Sequence, residues 1–144
     1  MRFFIGIDTG ENTGFAIWDA ASDRFIEVTT YRLHQALYQV LLMRKWAAGE
    51  MKIVFEDARQ RKWIPREKSN AEYRGRLMGA GSVKRDAAIW EEFCRDWEIP
   101  YEAVPPRAGA TKWNEAYWKK VTGWTKRTSE HARDAALLVF QRKR

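Results

Sequence analysis

Short apolar blocks bounded by turn residues dominate the first third of the chain. Phe3-Phe4-Ile5-Gly6-Ile7-Asp8 reads as a strand, Gly10-Glu11-Asn12-Thr13-Gly14 as a turn and Phe15 to Asp19 as a second strand. Arg24 to Tyr31 makes a third strand after the polar break at Ser22-Asp23, which predicts an antiparallel meander. Leu33, Leu37, Val40, Leu41 and Ala48 then recur at helical spacing, Gly49 stops the helix, and Met51 to Glu56 is again a short apolar strand. A helix between strands implies a crossover, so this strand is expected parallel to the first. From Ala58 to Ala80 there is no clean period, and a basic surface loop or short mobile helix is expected. Val83, Ala87, Trp90, Phe93, Cys94 and Trp97 restore a 3.6-residue period for a long helix, ended by Ile99-Pro100 before the strand Tyr101 to Val104. A loop over Pro105 to Ala110, a short basic helix from Lys112 to Val121 and a last helix from Ser129 to Gln141 complete the pattern.

Length and composition narrow what such a chain can be. Its 144 residues, 45% hydrophobic and 14% aromatic, suffice for one well-buried core and predict a single domain. Lys and Arg number 26 against 19 Asp and Glu, and the resulting formal charge of +7 favours a polyanionic partner, most simply nucleic acid. The one cysteine, Cys94, cannot form an intrachain disulfide and sits on a helical apolar pattern, as expected of a packing thiol in a reducing compartment. No secretory signal and no run of membrane-spanning length is present, so a soluble cytoplasmic protein is expected.

Acids stand at the ends of these apolar runs. Asp8 closes the first strand and Glu56 the fourth, while His131 and Asp134, three residues apart, share one face of the alanine-rich last helix. Alternation puts Asp8 on the face of Phe4 and Gly6, where an uncompensated carboxylate is costly. Three acids and a histidine from three distant segments make a candidate divalent-metal site. Asp57 adjoins Glu56, but in a strand the two side chains point to opposite faces, so at most one is expected to join Asp8 directly, with Asp57 the alternative to Glu56. Thr128 is the expected N-cap of the last helix, whose dipole stabilises a carboxylate and disfavours imidazolium near its start. His131 would then ligate metal or act as a general base, or merely hydrogen-bond Glu130 or a phosphate. His34, far from any motif, is expected to be structural.

The order of elements, three strands, helix, strand, helix, strand, helix, with acids at these ends, is that of the ribonuclease H-like fold, an α/β arrangement with a mixed five-stranded sheet flanked by helices. Ile5-Gly6-Ile7-Asp8-Thr9-Gly10, Glu56, the Gly75 to Ala88 segment and His131-Ala132-Arg133-Asp134-Ala135-Ala136 resemble the four signature regions of RuvC-type Holliday-junction resolvases. The resemblance implies a homodimeric, magnesium-dependent endonuclease that nicks two opposing strands of a four-way DNA junction symmetrically. By motif position, Asp8, Glu56, His131 and Asp134 would be its catalytic and metal-site residues. The family often has a carboxylate where this chain has His131. Phosphodiester hydrolysis suits two hard cations per active site, Mg2+ or Mn2+, roughly 3.5 to 4 Å apart, and such ions take a few carboxylates and keep several waters.

Contacts to DNA are expected from the basic stretch after Glu56, namely Arg59, Arg61, Lys62 and Arg66, and from Lys112, Lys119 and Lys120. Trp63, embedded among these charges, would stack on an unpaired base at an opened junction or else pack conventionally. Trp18, Trp46, Trp90 and Trp97 fall in apolar patterns and are expected in the core. The Val83 to Trp97 helix is the candidate dimer interface, unless its stripe is wholly intrachain core. Two other readings share the acids: a nuclease of the same superfamily acting on structured RNA, and a junction-binding protein without catalysis. The Asp8-Gly10 motif also resembles the phosphate loop of actin-like ATPases, which need a second domain that this length does not allow.

Overall fold

Alternation along the first strand divides the core in two. The computed structural model of the chain describes residues 1–61, 70–106 and 112–144. Strand β1 (Phe3–Asp8) sends Phe3, Ile5 and Ile7 into one apolar cluster and Phe4 into a second on the opposite face. Around β1 the sheet has the order β3-β2-β1-β4-β5, with β2 (Asn12–Asp19), β3 (Arg24–Arg32), β4 (Met51–Glu56) and β5 (Tyr101–Val104). β1 pairs antiparallel with β2 and parallel with β4, and β4 pairs parallel with β5, so the meander and the crossover are both present. Helices α1 (Leu33–Ala47) and α2 (Asn70–Asp96) cover the first face, where Val40, Ala87, Trp90 and Cys94 meet Ile5, Phe15, Ile53 and Phe55. Helices α3 (Glu115–Thr122) and α4 (Glu130–Leu137) cover the other with Trp118, Ala132, Ala135 and Ala136.

Several boundaries differ from the sequence reading for local reasons. β2 starts at Asn12 rather than Phe15, because Asn12, Thr13 and Gly14 pair with Arg32, Tyr31 and Thr30 of β3. The long helix starts at Asn70, not Val83. Among the residues described before Val83, Met78, Gly79, Gly81 and Ser82 are all exposed. α3 starts at Glu115, where Asn114 Oδ1 accepts from Tyr117 N at 2.8 Å, and so Lys112 lies ahead of the helix. α4 is capped by Ser129, not Thr128, and ends at Leu137 in a tightened turn with Leu138 N on Ala135 O. Thr128 instead accepts twice from the Arg133 guanidinium, each at 3.0 Å.

The tryptophans divide as well. Trp18 and Trp90 are buried, but Trp46 is 63% and Trp97 45% exposed. Trp46 rests one side on Phe3, with ring centroids 4.9 Å apart, and Trp97 lies under Arg44 at 5.8 Å. Helical period assigns a residue to a face without fixing how far the next layer covers it. On α2, Ala87, Trp90 and Cys94 are buried against the chain's own sheet, whereas Val83 and Trp97 at the two ends of the stripe are 36% and 45% exposed. Burial pushes the Cys94 thiol up to about 12, as befits a packing residue. Among the described residues, no helix is long and apolar enough to cross a membrane.

Candidate functional site

Parallel pairing sets the first two acids side by side. Ile7 is opposite Phe55 across β1 and β4, so the next residues, Asp8 and Glu56, end neighbouring strands on the face that α4 covers. Helix α4 reaches them because the sheet lacks side chains beneath it. A Cβ at Gly14, the β2 partner of Asp8, would lie 1.9 Å from the His131 carbonyl oxygen and 2.9 Å from Asp8 Cβ. A Cβ at Gly6 would lie 2.0 Å from the Ala135 carbonyl oxygen. The helix therefore rests directly on strand backbone, with Ala132, Ala135 and Ala136 fully buried. His131 and Asp134 flank this contact.

The polar atoms at this end are coupled. His131 Nδ1 lies 2.9 Å from Asp8 Oδ2. Burial pushes the Asp8 carboxyl above its ordinary value and the charge of Asp134 adds to the rise, while the His131 hydrogen bond opposes it. Burial likewise raises Glu56, helped by the negative charges of Asp8 and Asp134 and opposed by the positive charges of Arg61 and Lys112. Asp57 behaves in the opposite way. Arg59 donates to it from its backbone N at 3.0 Å, from Nε at 2.8 Å and from Nη2 at 2.9 Å, and these bonds hold its carboxyl below the usual range. Of the two adjacent acids, Glu56 belongs electrostatically to the Asp8 cluster and Asp57 to a structural ion pair.

Hard carboxylate oxygens with one imidazole are a donor set that fits a divalent cation of the magnesium type, and such an ion would offset the burial and neighbouring negative charge that raise the Asp8 and Glu56 carboxyls. Among the described residues, no three His, Cys, Asp or Glu side chains are grouped so as to enclose an ion as they stand. Asp8 is turned to His131, and Asp134 accepts from Lys112 Nζ at 3.1 Å.

No protein-family model matches this sequence, and no curated protein does. Solved structures match it over nearly its whole length. Thermus thermophilus RuvC in complex with Holliday junction substrate aligns with a TM-score of 0.57 over 96% of this chain and 91% of that chain, at 14% identity. A second Thermus thermophilus RuvC structure gives a TM-score of 0.56 over 96% and 92%, at 15% identity. The chain has the RuvC fold. At such identity the likeness is one of ribonuclease H-like architecture, and the site rests on this chain's own residues.

On this RuvC fold Lys112 is bonded to Glu130 and Asp134, and the other DNA-contact residues named from sequence divide into three groups. Arg59 is engaged by Asp57 and Glu91, and Lys119 pairs with Glu115 at 3.5 Å. Arg61 and Lys120 are exposed, and the charge of Arg61 reaches Glu56. Lys62, Trp63 and Arg66 lie outside the described residues. His34 is exposed at the start of α1. Sequence reasoning missed two things: the bond from Lys112 to Asp134, which no spacing announces, and the role of Gly14, whose signal was a glycine in an otherwise apolar strand.

Proposed function

We propose that this chain is a metal-dependent, structure-selective DNA endonuclease that resolves four-way junctions by paired symmetric nicks. The observation that carries the reading is the convergence of Asp8, Glu56, Asp134 and His131 at one end of a RuvC-fold sheet, where the charge of Asp134 adds to the rise of Asp8 and the charges of Asp8 and Asp134 add to that of Glu56. A net charge of +7 supports a polyanionic substrate. The structural likeness includes a RuvC in complex with Holliday junction substrate, which favours branched DNA over RNA as that substrate.

Asp8, Glu56 and Asp134, with His131, would hold two Mg2+ or Mn2+ ions, whose chemistry is to activate water and to neutralise charge on the attacking and leaving oxygens. The chain's own part is positioning. Gly14 and Gly6 admit α4 to backbone contact, which sets His131 against Asp8. With the proton on Nδ1 of His131, Asp8 accepts it and Nε2 keeps its lone pair for a metal ion or for a proton from water. Arg61, Lys120 and the basic residues outside the described range supply phosphate contacts that fix register without reading sequence.

Resolution needs two nicks on opposing strands, and two copies related by a two-fold axis would supply them. Such a homodimer would leave Ala87, Trp90 and Cys94 of α2 in the core, while the exposed Val83 and Trp97 remain open to an interface. The test is incubation with a synthetic four-way junction, duplex, flap and RNA–DNA hybrid, with magnesium or with EDTA, followed by nick mapping and sedimentation equilibrium. Paired, magnesium-dependent nicks at the junction are expected. Preference for the hybrid would move the substrate to RNA, and binding without cleavage in any metal would leave a junction-binding protein.

A further inference from the structure

Lys112 was expected to meet phosphate, yet its ammonium is turned inward onto the acids. Nζ donates to Asp134 Oδ2 at 3.1 Å and to Glu130 Oε1 at 2.5 Å, so the lysine bridges two carboxylates on one side of α4. The position is built. The next residue, Trp113, packs among the rings of Trp118 and Phe140, and its carbonyl accepts from Arg133 Nε at 3.0 Å. Arg133 in turn holds Thr128, one residue before the cap of α4. The backbone beside Lys112 is thereby fastened to the helix that carries Asp134. The positive charge of Lys112 also acts on Asp8 and Glu56. A lysine offers three donors and no acceptor, so it satisfies carboxylates as a cation does and cannot itself bind one. Its side chain is 62% exposed and can swing to solvent without stranding its charge.

We propose that Lys112 is a tethered counter-cation of the acidic cluster, which a divalent ion displaces as it binds. The inference rests on the metal-dependent reading above and adds a competitor built into the chain. In the metal-free protein Lys112 restrains the repulsion among Asp8, Glu56 and Asp134. On loading it releases Asp134 and sets the concentration of free metal at which the site fills.

The test is calorimetric titration of the metal-free protein with MnCl2 and MgCl2 at low and high KCl, with circular dichroism to verify folding. Lys112→Met keeps most of the apolar stem and removes the charge. It is expected to bind either ion about thirtyfold more tightly at low salt, the change expected from removing one unit charge about 4 Å from a divalent ion in water. High KCl should narrow the difference, and Lys112→Arg should stay near wild type. A folded Lys112→Met that binds metal no more tightly than wild type overturns the inference while leaving the nuclease reading intact. If neither wild type nor Lys112→Met binds Mn2+ or Mg2+, and Asp8→Asn is indistinguishable from both, the metal-site reading fails and takes this inference with it.

Discussion

At the scale of single residues, Glu56 and Asp57 are adjacent carboxylates with opposite electrostatics. Glu56 is raised by burial and by Asp8 and Asp134, whereas Asp57 is held low by Arg59. A carboxyl whose folded pKa is raised lends stability in full below its unfolded value and loses it as pH rises through the folded value. Metal-free Glu56→Gln should therefore melt higher than wild type at neutral pH, and the gap should close under acid, as scanning calorimetry at several pH values would show. Asp57→Asn removes a partner that contributes above the unfolded pKa and is lost as pH falls through the lowered one, so it should melt lower at neutral pH. Magnesium-dependent cleavage should fall further in Glu56→Gln than in Asp57→Asn, and the reverse order would exchange their roles. Asp8→Asn should keep junction binding and lose cleavage by at least about 100-fold, the upper end of what removing even an outer partner of a metal ligand costs. Equal loss of binding and cleavage in a folded Asp8→Asn would make Asp8 structural.

Among elements, the contact between α4 and the β1–β2 pair decides whether a site exists. Gly14→Ala puts a methyl 1.9 Å from the His131 carbonyl oxygen, which is backbone and cannot turn aside. The helix must shift, and a loss of about 1–3 kcal/mol in urea denaturation is expected, typical of overpacking. Nuclease activity should fall by more than that stability loss predicts, since His131 moves off Asp8. Gly81 gives the contrasting case. It is an exposed residue of α2 with nothing within 4 Å of an added Cβ, so Gly81→Ala should stabilise by about 0.5–1 kcal/mol through helix propensity and a less disordered unfolded chain. A Gly81→Ala variant that loses stability would show that the position is constrained by something other than its helix.

For the whole molecule, the question is how the charge of +7 meets DNA. Binding to a four-way junction should weaken steeply with salt as counterions are released. Arg61 is exposed, and Arg61→Ala should lower the slope of log K against log salt by about one unit if it contacts a phosphate. Arg59 is held by Asp57 and Glu91, so Arg59→Ala should leave that slope unchanged and lower the melting temperature instead, because Asp57 loses both guanidinium bonds even though Glu91 keeps Arg95 and Tyr101. Fluorescence anisotropy across a salt series, beside a thermal melt, separates the two arginines. A slope change with Arg59 and none with Arg61 would reverse their assignment.

Strand order, the parallel crossover and the two faces of β1 were legible in the sequence, because a period of 2.0 or 3.6 is imposed locally by backbone geometry and survives wherever one side is buried. The acids were legible for a related reason: a carboxylate that ends an apolar run stands out against its neighbours. The first turns of α2 were not legible, since described positions there such as Met78 and Gly81 face solvent and mark no period, nor was the exposure of Trp46 and Trp97, which depends on how far the next layer extends. Only tertiary structure could separate Glu56 from Asp57 by their partners, bring His131 onto Asp8 across 123 positions and turn Lys112 onto Asp134. Sequence determines what each residue is able to bond with and which face it takes. Which partner arrives there is settled by packing between distant segments, here by two strand glycines that let α4 rest on the sheet.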